Sequence, residues 1–168
     1  MAEAIPEAWL RGPLPGVHPL VMPVFFTFAQ VREELAKHAQ GLSREQVWHS
    51  TNSTASLGFH IQHIAGSVDR LTTYLSGGQL SESQKHFMRE EGTGDMEVEE
   101  LLRVLAAALR NSEERLRQID PATLYEPRGV GRKALPTTVI GLIVHLAEHT
   151  QRHLGQAITT VKMLRHAG

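Results

Sequence analysis

Apolar residues recur every three or four positions through four long segments of this 168-residue chain. The second segment shows the pattern most clearly, in Leu57, Ile61, Ile64, Val68, Leu71 and Leu75. That period is typical of an α-helix that buries one stripe of its surface. The alternation of a half-buried strand is scarce. The pattern therefore predicts an all-α protein, a four-helix bundle with little or no sheet.

Turn and cap residues divide the chain around these segments. Residues 1–18 are rich in proline and glycine and predict an irregular N-terminal arm, which Trp9 and Leu10 are expected to anchor. The bundle domain is expected over residues 19–168. The predicted helices cover about 20–40, from Ser53 or Ser56 to about 76, from Asp95 to about 117, and from about 137 nearly to the C-terminus.

The connecting segments are less informative. "LSREQVW" is typical of a turn or a short half-buried helix, residues 79–93 are polar and ambiguous, and "EPRGVGRK" is typical of a glycine-rich loop. The connections over about 41–52 and 119–136 are long, so a simple up-and-down order of helices is not required.

Charge and composition exclude several classes of function. The net charge is −1 without any block of like charge, which argues against nucleic-acid or anionic-membrane partners. There is no apolar run of about 18 residues and no secretory signal, so a cytoplasmic protein is expected. Cysteine is absent, which excludes disulfides, thiolate nucleophiles and cysteine-ligated metals. Histidine, aspartate and glutamate remain as possible metal ligands, and the chain has 10 histidines.

The last predicted helix carries three histidines at intervals of four, in "VHLAEHTQRHLGQ". Residues four apart lie on one helix face. At about 100° per residue, His153 and His149 fall about 60° and 100° from the centre of the apolar stripe, and His145 about 140° away. His149 and His153 could therefore face a neighbouring helix and bind a metal ion, although such pairs also occur on solvated faces.

A second histidine pair lies on the second helix, in "FHIQHIAGSVDR". There His60 is about 60° and His63 about 120° from the apolar centre, so helical phase favours His60 as the inward residue. Two histidines from one helix and one from another would give a three-nitrogen set with an open position, the arrangement of catalytic zinc sites. Imidazole also suits nickel, copper and iron, so the ligands alone do not select the ion.

Together, "HIAGSVDR" and "HLAEHTQRHLGQ" resemble the DinB-like (DinB/YfiT) superfamily of metal-binding four-helix bundles over about residues 20–165. The resemblance matches His63, followed by Ile64 and Ala65, and a His149–His153 pair that runs into Gly155 and Gln156. It implies an up-down-down-up topology, frequent homodimers, and one divalent ion, zinc or nickel, on His63, His149 and His153. His60 then becomes a supporting or substitute ligand, and a role for His145 stays open.

The same resemblance implies a small-molecule substrate, with three hypotheses for function. The first is a metal-dependent enzyme, either a transferase that uses a low-molecular-weight thiol or a hydrolase. The second is a non-catalytic metal-binding or stress-response bundle, and the third is a structural bundle with incidental histidines. "HTQRH" lacks the glutamate of a metalloprotease H-E-x-x-H motif, so that mechanism is excluded and no catalytic residue is assigned.

Two further expectations concern ligands and assembly. Arg70 and Arg152 could bind an anionic thiol, or could be ordinary solvated arginines, while Ser67 and Tyr74 could line a pocket or simply pack. Phe25 and Phe28, with the arm, suggest surplus apolar surface and hence a two-fold homodimer.

Overall fold

The computed structural model describes residues 6–50 and 54–166. The helices in these ranges are α1 (Met22–Ala39), α2 (Arg44–Trp48), α3 (Leu57–Leu75), α4 (Glu82–Glu90), α5 (Val98–Arg117) and α6 (Val139–His166). One antiparallel hairpin pairs β1 (Pro127–Val130) with β2 (Leu135–Thr138). Short 3-10 turns lie at Ala8–Leu10 and Pro121–Thr123. The all-α prediction with little sheet is therefore confirmed.

Helices α3 and α6 pack against each other, and both carry candidate histidine ligands. His60 meets His153, whereas the later residue His63 meets the earlier residue His149. Contacts that run in opposite sequence order show that the two helices are antiparallel. Their histidines consequently face each other across one groove.

Helix α1 packs against the other side of α6. The Gln151 side chain donates to Gln30, and the Arg165 guanidinium donates to the backbone carbonyl of His38. These contacts run in the same sequence order, so α1 and α6 are parallel.

Helix α5 completes the bundle between α3 and α1. Arg117 lies over the Phe25 ring, and Arg32 pairs with Glu113 at 2.7 Å, so α1 and α5 are antiparallel. The three relations are consistent with the up-down-down-up order that the resemblance implies.

The first helix faces the interior more fully than its sequence suggested. Phe25 and Phe28 are both buried, because α1 contacts α5 on one side and α6 on the other. Their expected role as surplus surface is therefore wrong. Trp9 and Leu10 are 58% and 57% exposed, so they do not anchor the arm. Ala8 is buried instead.

Two helix starts differ in detail from prediction. Ser56 caps α3, because its hydroxyl accepts from the Phe59 N–H, whereas Ser53 lies outside the described residues. Helix α5 begins at Val98 with Glu97 as its N-cap, and not at Asp95. No helix in ranges 6–50 and 54–166 is long and apolar enough to cross a membrane.

Two elements lie in segments that the periodicity left unassigned. Helix α4 begins at a reciprocal capping box, in which Ser81 and Gln84 each bond the other's backbone N–H. The expected glycine-rich loop is instead strand β1 together with the hairpin turn that follows it, where Gly131 and Ala134 adopt positive φ. Strands of four residues are too short to show a clear alternation.

Candidate metal centre

Three histidines from α3 and α6 converge where these helices face each other. One ring nitrogen of each of His63, His149 and His153 lies within 4.8 Å of one nitrogen of the other two. The Nε2 atoms of His63 and His149 are 3.1 Å apart. The ring centroid of His153 lies 4.3 Å from that of His63 and 4.6 Å from that of His149. The structure thus brings together the three predicted ligands.

The spacing and burial of this group suit a divalent cation. Two nitrogens bound tetrahedrally at about 2.05 Å from zinc are about 3.3 Å apart, close to the separation of the two Nε2 atoms. All three residues are half-buried, and the His63 side chain is 20% exposed. The donor set can therefore hold an ion that solvent or a small molecule can still reach.

Electrostatics keep two of these rings neutral. Burial, followed by the charge of the neighbouring His63, lowers the pKa of His149 to about 4. The pKa of His153 is also lowered to about 4, again mainly by burial and then by the charge of His63. Because a metal binds the unprotonated ring nitrogen, both rings are available at neutral pH.

His60 lies behind this group and not within it. It is 5% exposed, and its Nδ1 atom is 3.4 Å from Nδ1 of His153. Burial, followed by the charge of His63, lowers its pKa to about 4. Helical phase thus identified the more deeply buried ring of α3, but the ring that faces both α6 histidines is His63. The position of His60 suits the supporting role.

Glu91, just after α4, is a site residue that the sequence analysis missed. It is 4% exposed, and its Oε2 atom accepts a hydrogen bond from His63 Nδ1 at 2.7 Å. Its other carboxylate oxygen accepts from the Arg70 guanidinium. Within "MREEGTGD" no local signal separates Glu91 from the exposed Glu90, because its burial arises from the packing of the α4 end on α3.

A second group of potential ligands surrounds His149 on the outer face of α6. His145 Nδ1 lies 2.6 Å from Glu148, which also pairs with Arg152 at 2.6 Å. The hydrogen bond from Arg152 is the main cause that lowers the pKa of Glu148. These three side chains are roughly half exposed. Glu148 thus points to solvent, as the helical phase predicted.

The model of the DinB superfamily matches residues 27–157, which includes α3 and most of α6. The chain belongs to the DinB superfamily. Membership in this superfamily and the three-histidine group are together compatible with metal binding.

A solved structure supports the fold of this DinB superfamily member. A conserved protein from Enterococcus faecalis superposes with a TM-score of 0.71, at 16% sequence identity, over 85% of this chain and 95% of that protein. At that identity the likeness shows the fold alone. A search of curated proteins gave no significant match.

Burial distinguishes between the two expected roles of each remaining candidate residue. Arg70 is buried against Glu91, so it is neither a solvated arginine nor free to bind an anionic thiol. Arg152 is 53% exposed and paired with Glu148, which fits the solvated interpretation. Ser67 and Tyr74 are buried, and the Ser67 hydroxyl donates to the Ile64 carbonyl, so they pack and do not line an open pocket.

A prominent cavity among the described residues lies away from the histidine group. A groove of about 670 Å³ between α3 and α5 is lined by polar side chains such as Asp69, Thr72 and Ser112, and by none of the histidines. Converging ligand atoms indicate a metal centre more directly than a cavity does, because an ion requires such atoms and little volume. The candidate centre accordingly lies between α3 and α6 and outside this groove.

Proposed function

We propose that this DinB superfamily protein binds one divalent metal ion on His63, His149 and His153. The observation that carries the proposal is the convergence of one ring nitrogen from each residue. The lowered pKa values of His149 and His153 support it, since both rings are neutral at pH 7. Zinc or nickel is the proposed ion, because both accept imidazole nitrogens.

The finer proposal is a metal-dependent enzyme that acts on a small molecule. A divalent ion held by the three imidazoles would supply Lewis acidity to a bound substrate. The three histidines hold the ion, while the solvent-accessible edge of His63 leaves a route for substrate. The absence of cysteine is compatible with a transferase whose thiol is a substrate, and hydrolysis needs no protein nucleophile either.

One observation favours the alternative, a metal-binding or stress-response bundle without turnover. The two carboxylates nearest to the histidines are already engaged: Glu91 with His63 and Arg70, and Glu148 with His145 and Arg152. Neither is a free general base, and proton transfer usually needs such a group. The enzyme proposal therefore depends on the metal ion and substrate for its chemistry.

The test separates metal binding from turnover. Protein purified without chelator is analysed for metal content by elemental analysis, and one equivalent per chain is expected. The protein is then loaded with zinc or nickel and assayed for consumption of an electrophile with and without a small thiol. Metal content without turnover would support the non-catalytic alternative, and absence of both would support the structural one.

A further inference from the structure

Glu91 is buried beside a proposed metal ligand, although it is not itself one of the proposed ligands. It comes from the end of α4, a short helix outside the four-helix bundle, and its carboxylate is buried between His63 and Arg70. We propose that Glu91 is a positioning residue, which determines which nitrogen of His63 is free to bind a cation. The inference rests on the proposed metal-binding function, and it assigns a role to a side chain that binds no metal.

The hydrogen-bond chemistry fixes the direction of the contact. A carboxylate paired with a guanidinium can only accept hydrogen bonds, so the His63 Nδ1 atom, 2.7 Å away, must carry the proton. In a neutral imidazole the other nitrogen is then a lone-pair donor. That nitrogen, Nε2, is the atom that lies 3.1 Å from Nε2 of His149. Glu91 thus directs the lone pair of His63 toward the α6 histidines.

Helix α3 is built to hold this carboxylate. His63, Gly66 and Arg70 follow at intervals of three and four, and so share one face of the helix. Arg70 has a side chain only 10% exposed, and its guanidinium donates to Glu91. A Cβ atom at position 66 would press into both the Glu91 and Arg70 side chains. The glycine therefore leaves the space in which the carboxylate contacts α3.

The other two histidines lack such a partner. Nδ1 of His153 is 3.4 Å from a neutral ring, His60, and Nδ1 of His149 is buried with no hydrogen-bond partner among the described residues. A carboxylate behind a ligating histidine orients the ring and raises its basicity. His63 is thus the ligand whose tautomer and orientation are set before a metal ion arrives.

Glu91→Gln tests this role with almost no change in shape. Glutamine has one acceptor oxygen, and the charged Arg70 competes for it more strongly than a neutral ring. The amide NH₂ group would then face His63 Nδ1 and donate to it, which moves the ring proton to Nε2. Glu90→Gln is the matched control, since Glu90 is the preceding residue and is exposed.

Two readouts are measured on the full chain. Histidine ¹⁵N NMR of the metal-free protein near pH 8 should show the Nδ1–H tautomer for His63 in the wild type and in Glu90→Gln, and the Nε2–H tautomer in Glu91→Gln. Zinc affinity, from competition with a chromophoric chelator, should fall about 10–100-fold in Glu91→Gln and stay unchanged in Glu90→Gln.

The outcomes are distinguishable. An Nε2–H tautomer for His63 in the wild type would overturn the proposal, even if Glu91→Gln failed to fold. Weaker zinc binding with an unchanged tautomer would also overturn it, because Glu91 would then act only through stability. If the wild-type protein bound neither zinc nor nickel, the proposed function would fail, while the tautomer comparison would still decide the role of Glu91.

Discussion

The Nε2 atoms of His63 on α3 and His149 on α6 lie 3.1 Å apart, across the groove between two antiparallel helices. Two imidazoles at that separation share either a proton or a cation, because two bare lone pairs would repel each other. With His63 Nδ1 bonded to Glu91 and His153 beside both rings, the arrangement is compatible with a bound cation.

Removal of either α6 ligand should abolish tight metal binding. His149→Ala or His153→Ala leaves two nitrogens, which are too few for a stable site on these residues. Elemental analysis of the purified variants should show metal content well below one equivalent. His86→Ala, which changes an exposed histidine on α4, should retain full occupancy. Full occupancy in His153→Ala would refute the ligand assignment.

The two histidines of α3 should differ in their importance. His63→Ala removes a proposed ligand and should eliminate most of the zinc affinity. His60→Ala removes the ring behind His153, and should weaken binding only about 10–100-fold. Zinc titrations against a competing chelator give both values. The opposite ranking would show that the buried ring, and not the ring facing the groove, is the ligand.

The stability of the metal-free protein should decrease with mild acid. In the folded state the pKa values of His60, His149 and His153 are lowered from 6.5 to about 4. Between those pH values the unfolded chain binds protons that the folded chain does not, so stability is highest above about pH 6.5 and is lost as the pH falls toward 4.

Thermal melts of chelator-treated protein at pH 7.5, 6.5 and 5.5 measure this effect. The melting temperature should decrease at each step, and His60→Leu should reduce the slope because one titrating ring is gone. His86→Ala should leave the slope unchanged. A melting temperature independent of pH over this range would contradict the lowered pKa values.

Chelation should remove metal without unfolding the protein. The apolar cores of α1, α3, α5 and α6 are buried independently of the histidines, which lie at the edge of one interface. Circular dichroism should therefore show unchanged helix content after chelator treatment, and any metal-dependent activity should return when zinc or nickel is added. Loss of helix content on chelation would indicate a structural ion and would count against the enzyme proposal.

A homodimer remains a prediction, but fewer exposed apolar residues now support it. Phe25 and Phe28 belong to the core, but Trp9, Leu10 and Leu20 each expose more than half of their surface near the start of α1. Light scattering coupled to gel filtration should give twice the mass of the 18.6 kDa chain. Trp9→Ser together with Leu10→Ser should shift the mass toward the monomer if this patch forms the interface. A monomeric wild type would refute the prediction.

Local periodicity was enough to predict the long helices and the helix face that carries the α6 histidines. The stripe from Leu57 to Leu75 predicted α3 almost to the residue, because burial of one helix face constrains every third or fourth position. The interval of four placed His149 and His153 on one face of α6 for the same reason. The resemblance, and not the phase, selected His63 over His60.

Tertiary structure decided what depends on contacts between distant segments. Helical phase gives the direction of a side chain relative to its own helix. It therefore identified His60 as the deeper ring, but it could not show that His63 faces α6. Glu91 is 28 residues from His63 in sequence, in a polar segment without periodicity. Its burial arises only when the end of α4 packs on the face of α3 that Gly66 leaves open, a contact between segments that no local pattern encodes.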